Sequence, residues 1–408
     1  MPASQAFIAE ASIADNRRIP ELAVKICFAL MVVSLVFLPA GYGRFYIFDE
    51  NGLGIPTDFI NVFAAGQMVL EGRSTLAYDW DLHKAVEVAV LGQNFPGNMA
   101  WHYPPPFLFV ATALACLPYA IAYPAWALIS LVPYLAVMRA IVGRPIGLLL
   151  ALAFPVVLNN ALISQNGFLT AALVGGTLLF MPTRPVLAGI CLGLLTYKPQ
   201  YGVLFPLILV ATGQWRVIVS AGVVTILLAA VSCLAFGTAS WLEFIHGLSL
   251  VEQVFLSEGR ADWGKMQSLF TTVRYFGGSE HLAWMLQMGL TVVVGGALIA
   301  LWRSRVRYSL KAAALATGTL LTTPYLFFYD VMVLAIAVAF LVRDGLHRGF
   351  GRYDWPLLAL TFALLFSYLM VGAPTGFAAT LVVAAMIAER CRAALPVPAA
   401  AAPRVQSA

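Results

Sequence analysis

Residues 283–342 read "AWMLQMGLTVVVGGALIALWRSRVRYSLKAAALATGTLLTTPYLFFYDVMVLAIAVAFLV". Two apolar runs flank a link, 303–311, that holds four basic residues and no acid, and a third run follows "TPYLFFYD". Such runs approach the ~20 residues that cross a bilayer as a helix. A basic link between them marks the cytoplasmic side. The next link, 343–352, carries Arg343, Arg348 and Arg352 against Asp344 and belongs on the same side. Alternating outward from these links places both termini in the cytoplasm. The two long polar stretches, about 44–104 and 237–282, fall on the extracytoplasmic side. The first has seven acids against three Lys/Arg, the second five against three.

The rest of the chain repeats this pattern. Of 408 residues 61% are hydrophobic and only 11% charged, against about a quarter charged in soluble domains. Apolar segments lie near 23–43, 105–118, 120–141, 146–160, 166–181, 185–213, 217–236, 283–302, 311–327, 329–342, 355–371 and 375–389. The fold class expected is an all-α polytopic membrane protein of about 12 transmembrane helices, since a β-barrel would give short alternating segments. Residues 1–22 form a cytoplasmic segment, 23–390 the membrane domain, and 391–408 a disordered cytoplasmic tail rich in Ala and Pro. The segment from Ala23 follows Arg17 and Arg18, carries Lys25 at its start and reads as an uncleaved anchor. The net charge of +5 is spread over links between apolar runs, so nucleic acid is not an expected partner. Cys27, Cys116, Cys191, Cys233 and Cys391 lie in or beside apolar segments without a CxxC pair and read as packing residues. Five histidines show no zinc spacing, and P-loop, GxSxG and GxGxxG motifs are absent. No metal or cofactor is expected.

Chemistry is therefore sought where polar residues interrupt this background. In "PTDFINVFAAGQMVLEGRSTLAYD" (56–79), Phe59, Val62, Phe63, Gly66, Val69 and Leu70 recur at helical spacing. The pattern predicts a short amphipathic helix in the outer interface, closed by Gly72. Asp58 at its head is either a helix cap, worth about 1 kcal/mol, or a catalytic carboxylate; Thr57 is the competing cap. "WHYPPPF" (101–107) holds His102 and Tyr103 on a proline-stiffened lead into an apolar run. They are interfacial aromatics, or they contact a phosphate or a sugar hydroxyl. Gln165 and Asn166 interrupt a nearly charge-free region and need hydrogen-bond partners there. Lys198 stands amid long apolar flanks beside Pro199. It snorkels, pairs with an acid, or marks a cavity edge. The stretch 257–278 supplies Arg260, Lys265, Arg274, Gln267 and Ser268, either as a solvated face or as a binding segment. Asp330 caps the span that follows it, or completes a polar rim with Asp58.

Six pieces in this order, "TDFINVFAAGQMVLEGRSTLAYD", "YPPPFLFVATALACLP", "SQNGFLTAAL", "YKPQYGVLFPLILV", "KMQSLFTTVR" and "TPYLFFYDVMVL", resemble glycosyltransferase family 87 over roughly residues 25–390. That family includes polyprenol-phosphate-mannose-dependent α-1,2-mannosyltransferases. The resemblance implies a GT-C-type membrane bundle in a bacterial plasma membrane. It implies a polyprenyl-phosphate sugar donor, with mannose the first choice of hexose, and a lipid or glycan acceptor. Its catalytic acid lies in the first outer loop, a position Asp58 matches. Transfer would invert the anomeric centre, with Asp58 as general base and Lys198, His102 and Arg274 at the donor phosphate. Tyr103, Gln165, Asn166, Gln267, Ser268 and Asp330 would contact sugar or acceptor. Related mannosyltransferases often carry a Trp-His pair where this chain has Tyr325 to Asp330. A transporter or flippase of a lipid-linked glycan is the alternative, although the Lys198-Pro199 break has no evident counterpart in the other half of the chain.

Overall fold

The computed structural model describes residues 18–260 and 262–394. Most of the expected segment 1–22 and of the tail 391–408 lies outside this range. Among the described residues the chain is helical, with no β-sheet. The helices are α1 (Glu21–Gly41), α2 (Phe59–Leu70), α3 (Trp80–Leu91), α4 (Leu108–Ala115), α5 (Tyr119–Val142) and α6 (Ile146–Ala153). Next come α7 (Val156–Leu162), α8 (Gly167–Phe180), α9 (Pro185–Leu194), α10 (Leu204–Ala211), α11 (Trp215–Phe236) and α12 (Thr238–Val251). The last six are α13 (Leu269–Tyr275), α14 (Glu280–Arg303), α15 (Tyr308–Leu321), α16 (Met332–Arg348), α17 (Asp354–Val371) and α18 (Thr375–Ala394). Five are long and apolar enough to cross a membrane: α1 with its extension to Tyr46, α5, α11, α14 and α17.

The remaining apolar runs are shorter or broken. The run 105–118, expected as a span, forms one 3-10 turn and the eight-residue α4. At 1.5 Å per residue a helix of that length covers about 12 Å, well short of a hydrocarbon core of about 30 Å. The run 185–213 breaks at Lys198-Pro199 into α9 and α10, as the proline predicts. The two expected outer loops are largely helical, holding α2 and α3 in one and α12 and α13 in the other. The core is organised around α16, which is buried along Met332–Val342 and packs on α15, α8 and α5.

The ends of the bundle differ in chemistry. At one end the basic links meet in a buried cluster. Arg307 holds Asp344 through two hydrogen bonds, of 2.6 and 2.8 Å, and Arg390 bridges Asp344, at 2.7 Å, to Asp354. At the other end stand the helix breaks at Ser164–Asn166, Lys198 and Phe328–Val331.

The structure corrects the expected interfacial helix. Helix α2 is enclosed: Phe59 through Gly66, and Met68, are all buried. Its nominally polar face carries Ala64 and Ala65, so it is apolar nearly all round, the signature of an internal helix. Gly66 sets its approach to α4. A Cβ there would lie 2.1 Å from the carbonyl oxygen of Ala111, a backbone atom that cannot swing aside. Gly66→Val should therefore force the helices apart. The expected outcome is a loss of about 1–3 kcal/mol, read as a lowered melting temperature in detergent. An unchanged melting temperature would contradict this packing.

Candidate active site

Asp58 occupies the N-cap position of α2, yet its side chain makes no capping hydrogen bond and its backbone is already helical. Thr57, the expected cap, does not take over: its hydroxyl has no partner among the described residues. The Asp58 carboxylate turns away from the helix and accepts a hydrogen bond of 3.1 Å from the Gln165 side-chain amide.

Gln165 is aimed by a strained turn between α7 and α8. Ser164 has φ +51°, in the left-handed region. Its hydroxyl is anchored on the Tyr123 carbonyl. The Gln165 carbonyl oxygen accepts from Asn166 N–H at 3.1 Å, which fixes the amide so that its NH₂ faces Asp58. The Asn166 side chain accepts from Trp126 Nε1 at 3.0 Å, while its NH₂ is buried without a partner among the described residues. Gly167 closes the turn against the next element. A Cβ there would meet the Tyr329 carbonyl oxygen at 2.3 Å, so only glycine lets this turn brace the 329–330 backbone.

Beneath this lies an ion pair. Lys198 Nζ donates to Asp330 Oδ1 at 2.6 Å, with both side chains buried. Lys198 sits between two 3-10 turns, Leu195–Tyr197 and Pro199–Tyr201, where the helix has opened. Asp330 lies on the 3-10 turn Phe328–Val331, and its other oxygen accepts from Phe327 N–H at 3.4 Å. Of the sequence readings of Asp330 the cap holds locally, while the carboxylate is buried and paired with the lysine. Rings of Tyr103, Tyr201 and Tyr329 surround the ammonium, with centroids 5.9, 6.0 and 5.0 Å away.

His102 joins the cluster through Tyr103, on which its ring stacks at 5.1 Å. Its Nδ1 lies 2.9 Å from the Ala100 carbonyl oxygen and so carries the proton, leaving Nε2 as an acceptor toward the Tyr325 hydroxyl at 3.5 Å. Burial, aided by the nearby Lys198 charge and opposed by the Ala100 bond, lowers its pKa to about 4. His102 is therefore neutral at physiological pH and accepts hydrogen bonds on its open face. Tyr325 is a neighbour that the sequence did not single out.

The 257–278 segment contributes differently from what was expected. Arg274 donates to the carbonyls of Gly278 and Ser257 and packs its guanidinium over Trp263. Gln267 spends its amide inside the scaffold, accepting from Gly376 N–H at 2.7 Å and donating to Gly264 O at 2.9 Å. Ser268 is the N-cap of α13 in a capping box with Thr271. These three hold the segment in place. Asp58, His102, Tyr103, Gln165, Asn166, Lys198 and Asp330 are the residues the fold gathers.

The charges explain the tuning of Asp58, which is half-buried. Desolvation raises its pKa above the ordinary carboxylate value. The Gln165 hydrogen bond, Lys265 and Lys198 pull it down, and Asp330 adds to the rise. A carboxylate held above its usual range, uncapped and beside a buried ion pair, is a candidate for proton transfer.

The fold defines a helical membrane protein with a polar centre at one end of the bundle. Residues 101–324, more than half of the chain, match the model of glycosyltransferase family 87, and the chain belongs to that family. It is accordingly a glycosyltransferase. The matched region includes His102, Gln165 and Lys198, and it leaves Asp58 and Asp330 outside its bounds. No curated protein and no solved structure matches the chain.

Because the Gln165 amide stabilises the charged form of Asp58, removing it should raise the carboxylate pKa further. In Gln165→Leu the acid limb of the pH–rate profile should move to higher pH, with the rate well above that limb less affected. Sugar-transfer rates measured from acid to neutral pH check this, and an unmoved limb would separate Gln165 from Asp58.

Proposed function

We propose that the protein is an inverting glycosyltransferase that moves a hexose, mannose first among the choices, from a polyprenyl-phosphate sugar to a lipid or glycan acceptor. The observation that carries this reading is the Asp58 carboxylate. It is held by one amide, free of capping duty and raised in pKa by burial. The acceptor O–H gives its proton to Asp58 as its oxygen attacks the anomeric carbon. The bond from that carbon to the phosphate oxygen breaks on the opposite face, and its electron pair leaves with the phosphate. One displacement with one base inverts the centre and needs no protein nucleophile. Lys198 and Asp330 set the field beneath the sugar. His102 Nε2 accepts a hydrogen bond from a sugar hydroxyl, beside Tyr103 and the amides of Gln165 and Asn166.

A lipid-phosphate donor also suits the setting, because such a donor reaches its enzyme from within the bilayer. The site lies at the end of the bundle opposite the basic links. By the positive-inside rule it then faces the extracytoplasmic side of a bacterial plasma membrane, with the termini in the cytoplasm.

Purified protein supplied with a polyprenyl-phosphate hexose and candidate acceptors should transfer sugar, and the product linkage read by NMR should be inverted relative to the donor. Asp58→Asn should lower the rate roughly 10²- to 10⁴-fold, the range of a lost general base. An Asn variant as fast as the parent would remove Asp58 from the mechanism.

A further inference from the structure

The proposed reaction leaves one charge unanswered. A polyprenyl-phosphate sugar is a phosphodiester with one negative charge, and its phosphate becomes a monoester with a second developing charge as the anomeric C–O bond breaks. That charge calls for a cation not already matched. Lys198 is matched by Asp330 at 2.6 Å and is nearly sealed from solvent. Arg274 turns both terminal nitrogens to the carbonyls of Gly278 and Ser257 and lays its guanidinium over Trp263, inside its own segment. His102 is neutral, with its N–H turned to Ala100.

Lys265 is different. It ends the 3-10 turn Trp263–Lys265, which the Asp262 side chain caps by accepting from Gly264 N–H at 3.0 Å. The next residue, Met266, pairs in an antiparallel bridge with Phe327, and Gln267 N–H donates to the Leu326 carbonyl at 2.7 Å. The Lys265 backbone is thus pinned alongside the strand-like segment that leads into Asp330. Its side chain is exposed and makes no hydrogen bond or ion pair among the described residues. Its charge also reaches Asp58, where it acts more strongly than that of Lys198.

We infer that Lys265 is the catalytic cation for the leaving phosphate, contacting the donor's phosphate oxygens while Lys198 stays paired with Asp330. This rests on the lipid-phosphate donor proposed above. In the step, the acceptor proton goes to Asp58, the new bond forms between acceptor oxygen and anomeric carbon, and the bonding pair of the broken C–O bond stays on a phosphate oxygen facing the Lys265 ammonium.

The test compares the parent with Lys265→Met and Lys265→Arg, using a polyprenyl-phosphate hexose as donor and free polyprenyl phosphate as a product inhibitor. For Lys265→Met we expect kcat to fall roughly 10²-fold, inhibition by polyprenyl phosphate to weaken at least tenfold, and the acid limb of the pH profile to move upward as Asp58 loses a nearby positive charge. Lys265→Arg should recover most of the rate and the inhibition. A Met variant with the parent's kcat and product inhibition would overturn the assignment. So would an Arg variant as impaired as the Met variant, since that pattern belongs to packing. A parent that uses no lipid-phosphate donor would overturn the donor reading and this assignment with it, whereas parental activity alongside a normal Met variant would sink the assignment alone.

Discussion

The ion pair between Lys198 and Asp330 is the constraint on which the site depends. Two charges taken out of water cannot remain there singly, and removing one partner of such a pair costs about 3–5 kcal/mol. These two residues lie 132 positions apart, so their pairing fixes the α9–α10 break against the turn that opens α16. Each sits where a helix has been interrupted. Interrupted backbone leaves polar groups that lipid cannot satisfy, and it is tolerated only when enclosed by protein. The aromatic rings around Lys198 supply that enclosure while leaving their faces toward its charge. The same pair thus permits the helix breaks and occupies the space they create.

The two ends of the bundle use buried charge for different purposes. At the basic end, Arg307, Asp344, Arg390 and Asp354 form a closed, mutually bonded cluster that ties α15, α16, α17 and α18 together. Arginine suits that task because its planar fork matches a carboxylate through two bonds at once. At the other end the acids are only partly matched. Among the described residues Asp330 has one lysine, and Asp58 has one neutral amide and no direct cation. An electrostatic balance left incomplete in this way gives a substrate's charges something to complete.

Much of this was legible in the sequence. The charge-poor apolar runs and the basic links at 303–311 and 343–352 gave the class of fold. Pro199 located the break that places Lys198, and pairing with an acid was among the readings open to that lysine. What could not be read was partner choice. Gln165 reaches Asp58 across 107 positions, through a left-handed Ser164 whose backbone angle no local pattern signals. Gln267, Ser268 and Arg274 look like binding residues because they are polar in a long segment, yet their partners are the segment's own backbone and Gly376. The burial of α2 was missed for another reason. A count of large apolar residues finds one face, but Ala64 and Ala65 allow the opposite face to be buried as well.

The uncapped head of α2 brings these features to one point. A carboxylate at a helix N-terminus ordinarily satisfies free backbone N–H groups, and each such bond would stabilise its charged form and make it a weaker base. Here the carboxylate is withdrawn from that duty. The helix forgoes about 1 kcal/mol of capping, a loss that burial of almost every side chain of α2 readily offsets. In exchange, Asp58 is stabilised by a single neutral amide and by lysines it does not touch, which is too little to overcome desolvation. Its basicity is therefore set by what the fold withholds. Restoring the cap would return a more ordinary carboxylate, anchored to its own helix and turned away from Gln165.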